Sequence, residues 1–258
     1  MHALPFLLAL ASAALLAPLL LRGLRDGGHM KINYRDRLLP CPFGVLAPAA
    51  ALLALIPLTL IARLASTDVF EHRALLAAVY ALGVLLLGLI DDTLARDRTG
   101  TDGPSSQRGW RGHGAAALRG ELSTGVLKAA GSLGLALFAM SYLGLSNGRW
   151  LLAAGVLVLA TNVFNLLDLR PGRSTKAFVL LGAGLMIGSR SLRPLWTLGL
   201  FAAPALVAGL YDLRERSMLG DTGANLLGAL AGLWLVLTLS GTGQLIALSL
   251  LTAITLYG

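Results

Sequence analysis

Ala74-Leu75-Leu76-Ala77-Ala78-Val79-Tyr80-Ala81-Leu82-Gly83-Val84-Leu85-Leu86-Leu87-Gly88-Leu89-Ile90-Asp91-Asp92 is an uncharged run of 17 residues that ends on two adjacent carboxylates. A hydrocarbon core about 30 Å thick demands roughly 17–25 apolar residues of a spanning helix, and this run meets that length. Seven other apolar runs occupy residues 3–21, 43–62, 125–145, 150–167, 194–211, 222–239 and 244–257. A ninth, 177–188, is too short to cross without local thinning or help from its flanks. A mean hydropathy of +0.74, with 56% hydrophobic and 13% charged residues, belongs to integral membrane proteins. No strand-like alternation competes. The expected fold is all-α: a polytopic membrane bundle of about nine helices forming a single domain over residues 1–258.

The distribution of basic residues orients this bundle. Sixteen of the 21 Lys and Arg fall in the alternate connections 22–40, 91–128, 168–176 and 212–221. The other five are Arg63, Arg73, Arg149, Arg190 and Arg193. Basic residues concentrate in cytoplasmic loops, which predicts that the first set lies inside and the N-terminus outside. The formal charge of +8 follows largely from this bias. Arg22 and Arg25 come after the first run rather than before it, so that run is expected to be a retained helix and not a cleaved leader. Cys41 is the single cysteine and reads as an ordinary small residue.

On this topology Asp91, Asp92, Asp168 and Asp221 all fall on the inner side, at the ends of runs. Ionisable groups at membrane-helix boundaries are costly unless solvated, paired or ion-bound. Carboxylates interleaved with Arg and Lys suit a divalent cation holding a diphosphate, because Mg²⁺ takes one or two carboxylates plus phosphate oxygens and water. Asn162, Asn165 and Asp168 are spaced by three and share a slowly rotating stripe of a helix. Gly220 and Gly223 flank Asp221 and permit close approach, and a helix N-terminus there offers amides to a phosphate. Each piece also has a plain structural reading. Asp-Asp can be a solvated stop, Asn-x-x-Asn polar packing between helices, and Gly-Asp-x-Gly a turn capped by Asp. The polar loop from Arg96 to Glu121 can be a simple connection.

Taken in order, Asp91-Asp92, Asn162-x-x-Asn165-x-x-Asp168 and Gly220-Asp221-x-Gly223 resemble the polyprenyl-phosphate N-acetylhexosamine-1-phosphate transferases. That family includes the peptidoglycan translocase and the enzymes that initiate teichoic-acid and O-antigen chains. Asn33-Tyr34-Arg35-Asp36-Arg37-Leu38-Leu39-Pro40 is similar to the family's first inner loop, and Ser123-Thr124-Gly125-Val126-Leu127-Lys128 to the start of its fourth helix. The resemblance spans about residues 20 to 240. It implies a Mg²⁺-dependent (or Mn²⁺-dependent) transfer of a sugar-1-phosphate from a UDP-sugar, UDP-N-acetylglucosamine or a similar donor, to undecaprenyl phosphate. UMP is the other product, and the lipid-linked sugar feeds cell-envelope glycan synthesis. It further implies Asp221 as metal ligand, Asp91, Asp92 and Asp168 as catalytic carboxylates, and Arg37, Lys128, Asn162 and Asn165 as substrate contacts. Arg170 and Arg173, which this chain carries just after Asp168, join the substrate set. The implied setting is a bacterial plasma membrane and a possible homodimer, with no nucleic-acid partner.

The chain departs from the pattern in three places. Leu169-Arg170-Pro171-Gly172-Arg173 replaces the usual glycine-rich acidic continuation, and Ala224 stands where serine is usual. The family's late inner loop, often bearing histidines, has no counterpart in His2, His29, His72 and His113, which the expectation attributes to a compact branch or a shortened chain. A non-catalytic relative that binds or scaffolds lipid-linked sugar is the alternative. An ion-coupled transporter fits less well, since these acids lie at one face rather than at the midplane and no internal repeat is visible.

Overall fold

The structure is a computed structural model that describes residues 1–94 and 124–257. Each apolar run forms a helix. In chain order these are Leu4–Asp26 (α1), Leu46–Leu64 (α2), Ala74–Leu94 (α3), Thr124–Ser141 (α4), Asn147–Leu167 (α5), Arg173–Ser189 (α6), Arg193–Leu213 (α7), Gly220–Thr238 (α8) and Gly241–Tyr257 (α9). By length and composition six can cross a membrane: α1, α2 with the turn before it, α3, α5, α7 and α8. α4 and α9 are apolar but shorter, and α6 has 17 residues. The polar loop from Arg96 to Glu121 lies outside the described residues.

The architecture is helical throughout, with one small addition that the sequence did not announce. Met30–Ile32 (β1) pairs antiparallel with Leu38–Pro40 (β2), in the register Met30 to Pro40 and Ile32 to Leu38. Asn33 organises the turn between them, its Oδ1 accepting from the amides of Arg35 at 2.8 Å and Arg37 at 3.0 Å. Three residues per strand are too few for alternation to register in a sequence. The hairpin is followed by a short 3₁₀ turn, Phe43–Val45. Its exit is tied to the approach of α8: Met218 N donates to Pro40 O at 2.9 Å, Phe43 N to Met218 O at 2.8 Å and Gly44 N to Leu219 O at 3.0 Å.

α8 is the axis of the bundle. From Gly220 to Val236 every residue but Asp221 is buried, and α3, α5, α6 and α7 all pack on it. Lipid tails are as apolar as leucine, so association between membrane helices relies on close packing of small residues. Ala160 and Thr161 of α5 lie against this axis at Gly228, and Ala153 and Ala154 of the same helix are buried. At Gly228 a β-carbon would lie 2.6 Å from Thr161 Cα, so the two backbones are nearly in contact there. Gln244 closes the far end, its Nε2 donating to Val236 O at 3.2 Å and Leu239 O at 3.1 Å. Those are carbonyls that a helix terminus leaves without intrahelical partners. Many leucines point outward: Leu15, Leu52, Leu75 and Leu180 are each about two-thirds exposed or more. Such a surface suits a hydrocarbon surround and not water.

Candidate active site

Four helix ends meet at one end of the bundle: the last turn of α3 with Asp91 and Asp92, the first turns of α4 and α8 with Lys128 and Asp221, and the last turn of α5 with Asn165. Lys128 Nζ is 2.6 Å from Asp221 Oδ2 and 3.2 Å from Asp91 Oδ2. Asn165 completes the group with its amide turned to match its neighbours. Its nitrogen then donates to Asp221 Oδ1 at 3.0 Å, and its oxygen accepts from Lys128 at 3.3 Å. The Asp221 side chain keeps 34% of its surface exposed, so its carboxylate remains open to a ligand.

Asp92, next in sequence to Asp91, does something different. Its side chain is 2% exposed. Oδ1 accepts from Asp221 N at 3.1 Å, and Oδ2 accepts from Thr222 N at 2.8 Å and Thr222 Oγ1 at 2.7 Å. These are first-turn amides of α8, which have no intrahelical acceptor. Asp92 therefore caps α8 from another helix, and its charge complements the positive end of the dipole. Gly220 makes room for it. Its φ is +70°, and a β-carbon there would meet Asp92 Oδ2 at 2.7 Å. The close approach expected at the glycines is thus made by Asp92, and the two amides expected to await a phosphate are already engaged.

Asp168 caps the end of α5, where Ser174 Oγ donates to its Oδ1 at 3.5 Å. Burial first, then the charges of Asp212 and Asp221, push this carboxyl up to about 8, with Ser174 opposing and Asp92 adding a smaller push upward. Asp168 therefore holds its proton to higher pH than an ordinary carboxyl. Cys41, beside the hairpin, is also buried, and desolvation followed by the Asp92 charge pushes its thiol up to about 12. It has no thiolate character, in keeping with an ordinary small residue.

Other predicted residues lie elsewhere. Arg37 does not reach the acids: its Nη1 is 3.6 Å from Glu215 Oε2, and Arg35 pairs with the same carboxylate at 2.9 Å. Asn162 donates to Thr255 Oγ1 of α9 at 3.3 Å, so the three-residue stripe on α5 splits between two neighbours. Arg170 stacks over the Tyr34 ring at 5.8 Å, and Arg173 is exposed at the start of α6. Two participants have no place in the sequence-based expectation. Thr222 is one, a hydroxyl directly after the motif aspartate. Lys31 is the other, 3.8 Å from Asp92 Oδ1; its position on the hairpin is the only signal that separates it from Arg37.

The donor set suits a hard cation in one specific sense. Among the described residues no three His, Cys, Asp or Glu side chains are grouped to hold a metal by themselves. Two carboxylate oxygens, from Asp91 and Asp221, nonetheless converge on the point held by the Lys128 ammonium. Two carboxylates are what Mg²⁺ usually takes from protein when phosphates supply the other ligands. No protein-family model and no curated protein matches this chain.

Proposed function

We propose that this chain is a membrane sugar-1-phosphate transferase working at the end of the bundle where the acids meet. The observation that carries the reading is the convergence of Asp91, Lys128, Asn165 and Asp221, drawn from four separate helices, on a single contact. These residues belong to the stretches through which the sequence resembles the polyprenyl-phosphate N-acetylhexosamine-1-phosphate transferases. We take the bundle to cross the membrane nine times, with this end on the cytoplasmic side, as the basic residues argue. The setting is then the plasma membrane of a bacterium.

In this reaction an oxygen of the lipid phosphate forms a bond to the β-phosphorus of a UDP-sugar. The bond from that phosphorus to the bridging oxygen breaks, and UMP leaves with the electron pair. A phosphate monoester is largely dianionic at neutral pH, so the nucleophile needs little help from a base. Electrostatic stabilisation carries most of phosphoryl transfer. Mg²⁺ supplies charge neutralisation on the diphosphate when bound, and Asp221 and Asp91 are the residues that would hold it. Lys128 then turns from the carboxylates to a phosphate oxygen. Asn165 orients Asp221, Asp92 holds the start of α8 in place, and Asp168, when protonated, offers a hydrogen bond to the substrate.

The decisive assay is UMP release from a panel of UDP-sugars by purified protein with undecaprenyl phosphate, with and without Mg²⁺ or Mn²⁺. Metal-dependent UMP formation with one donor is expected, and Asp221→Asn is expected to lower it at least a thousandfold while leaving the thermal midpoint within a few degrees. Donor or lipid binding without any UMP release would instead favour a non-catalytic relative that holds lipid-linked sugar.

A further inference from the structure

A concavity away from the acid cluster opens toward the opposite end of the bundle. An apolar groove of about 620 Å³ runs between α2, α3 and α7, with Leu52, Leu55, Leu75, Val79, Trp196 and Phe201 among its walls. Leu75 and Asp91 are 16 residues apart on one helix, roughly 24 Å at 1.5 Å per residue, so the groove mouth and the acids are at opposite ends of α3. At that mouth lies a polar pocket of about 440 Å³ walled by Arg73, Arg193, Ser189, Ser191 and Thr238. Glu71, His72 and Thr197 line both concavities. Two cavities of different polarity thus share one rim.

We propose that they form one binding site for an anionic lipid, with a phosphate head between Arg73 and Arg193 and a chain along the α2–α3–α7 groove. Charge complementarity carries the choice of occupant. Among the described residues the Lys and Arg on this side are Arg63, Arg73, Arg149, Arg190 and Arg193, and two of these line this one pocket. Guanidinium groups match phosphate oxygens in bidentate fashion. The opposing carboxylate, Glu71, has His2 Nδ1 at 3.9 Å, so two arginines face one partly engaged acid. Thr238 Oγ1, on the pocket wall, is buried and has no hydrogen-bond partner among the described residues. A groove filled by bulk lipid alone needs no hydroxyl- and arginine-lined pocket at its mouth. The site is independent of the chemistry at the acid cluster.

Trp196 in the groove wall provides the readout. The full chain is reconstituted in phosphatidylcholine vesicles containing dibrominated-chain phosphatidic acid or, separately, dibrominated phosphatidylcholine. Quenching of Trp196 is taken as the difference between wild type and Trp196→Phe. Half-maximal quenching is expected at about tenfold lower mole fraction of the acidic lipid, since a basic residue near an anionic headgroup contributes on the order of a few-fold in binding. Arg73→Gln and Arg193→Gln should each lose about threefold of this preference, and the double variant all of it. Arg73→Lys with Arg193→Lys should retain most of it, which separates charge loss from misfolding. Equal quenching by the two lipids in wild type, or a preference that survives the double glutamine variant, overturns the proposal.

Discussion

Asp91 and Asp92 are identical and adjacent, yet their surroundings assign them different work. Asp92 accepts three hydrogen bonds from the first turn of α8, whereas Asp91 meets the Lys128 ammonium. Asp92→Ala strands two amides and a hydroxyl in a buried setting, at a cost of about 2–5 kcal/mol. A clear fall in thermal midpoint is expected for it, with partial recovery in Asp92→Asn, whose amide oxygen still accepts. Asp91→Asn should instead depress UMP release with little change in midpoint; equal destabilisation by the two variants would contradict this division. Asp168 carries a pH signature. Its folded value of about 8 lies above the ordinary 3.8, so between those values the folded chain keeps a proton that the unfolded chain has lost. Its contribution to stability is therefore full below about pH 3.8, declines as pH rises and is gone above about 8. Midpoints measured at pH 5 and pH 9 should fall further in wild type than in Asp168→Asn. Matching slopes would mean that the folded carboxyl is ionised at neutral pH.

At the scale of elements, helix positions were legible because long apolar runs with charged ends have few alternatives in a membrane. The hairpin at 30–40 was not, since its three-residue strands are held as much by their ties to the start of α8 as by their own pattern. Which helix lies at the centre was also hidden. α8 is no more apolar than its neighbours and stands out only in its small residues. One substitution made at two glycines tests the packing. Gly184→Ala on α6 meets nothing within 4 Å and should stabilise by about 0.5–1 kcal/mol through helix propensity. Gly228→Ala forces apart the backbones of α8 and α5 and should destabilise by at least about 2 kcal/mol, in the range of other overpacked cores. Thermal midpoints of the same sign for the pair would remove α8 from the axis.

For the whole molecule, orientation is the property most open to test. Cys41 is the only cysteine and is buried, so labelling background is low. Asn147→Cys should react with a membrane-impermeant maleimide on intact cells, and Arg214→Cys only after permeabilisation; the reverse pattern would move the acids to the outer face. The sequence by itself determined that the chain is a bundle of apolar helices and that its acids stand at helix ends, because hydrocarbon leaves a chain little freedom in either respect. Only the tertiary structure decided which acids share a contact, that Arg37 belongs to Glu215 while Lys31 approaches Asp92, and that Asn162 turns to α9 while Asn165 turns to Asp221. The physical reason is one of range. Hydropathy acts along the chain and can be read in order, whereas pairing depends on helix rotation and on close approach at glycines, of the Asp92 side chain at Gly220 and of the α5 backbone at Gly228, which no local pattern encodes.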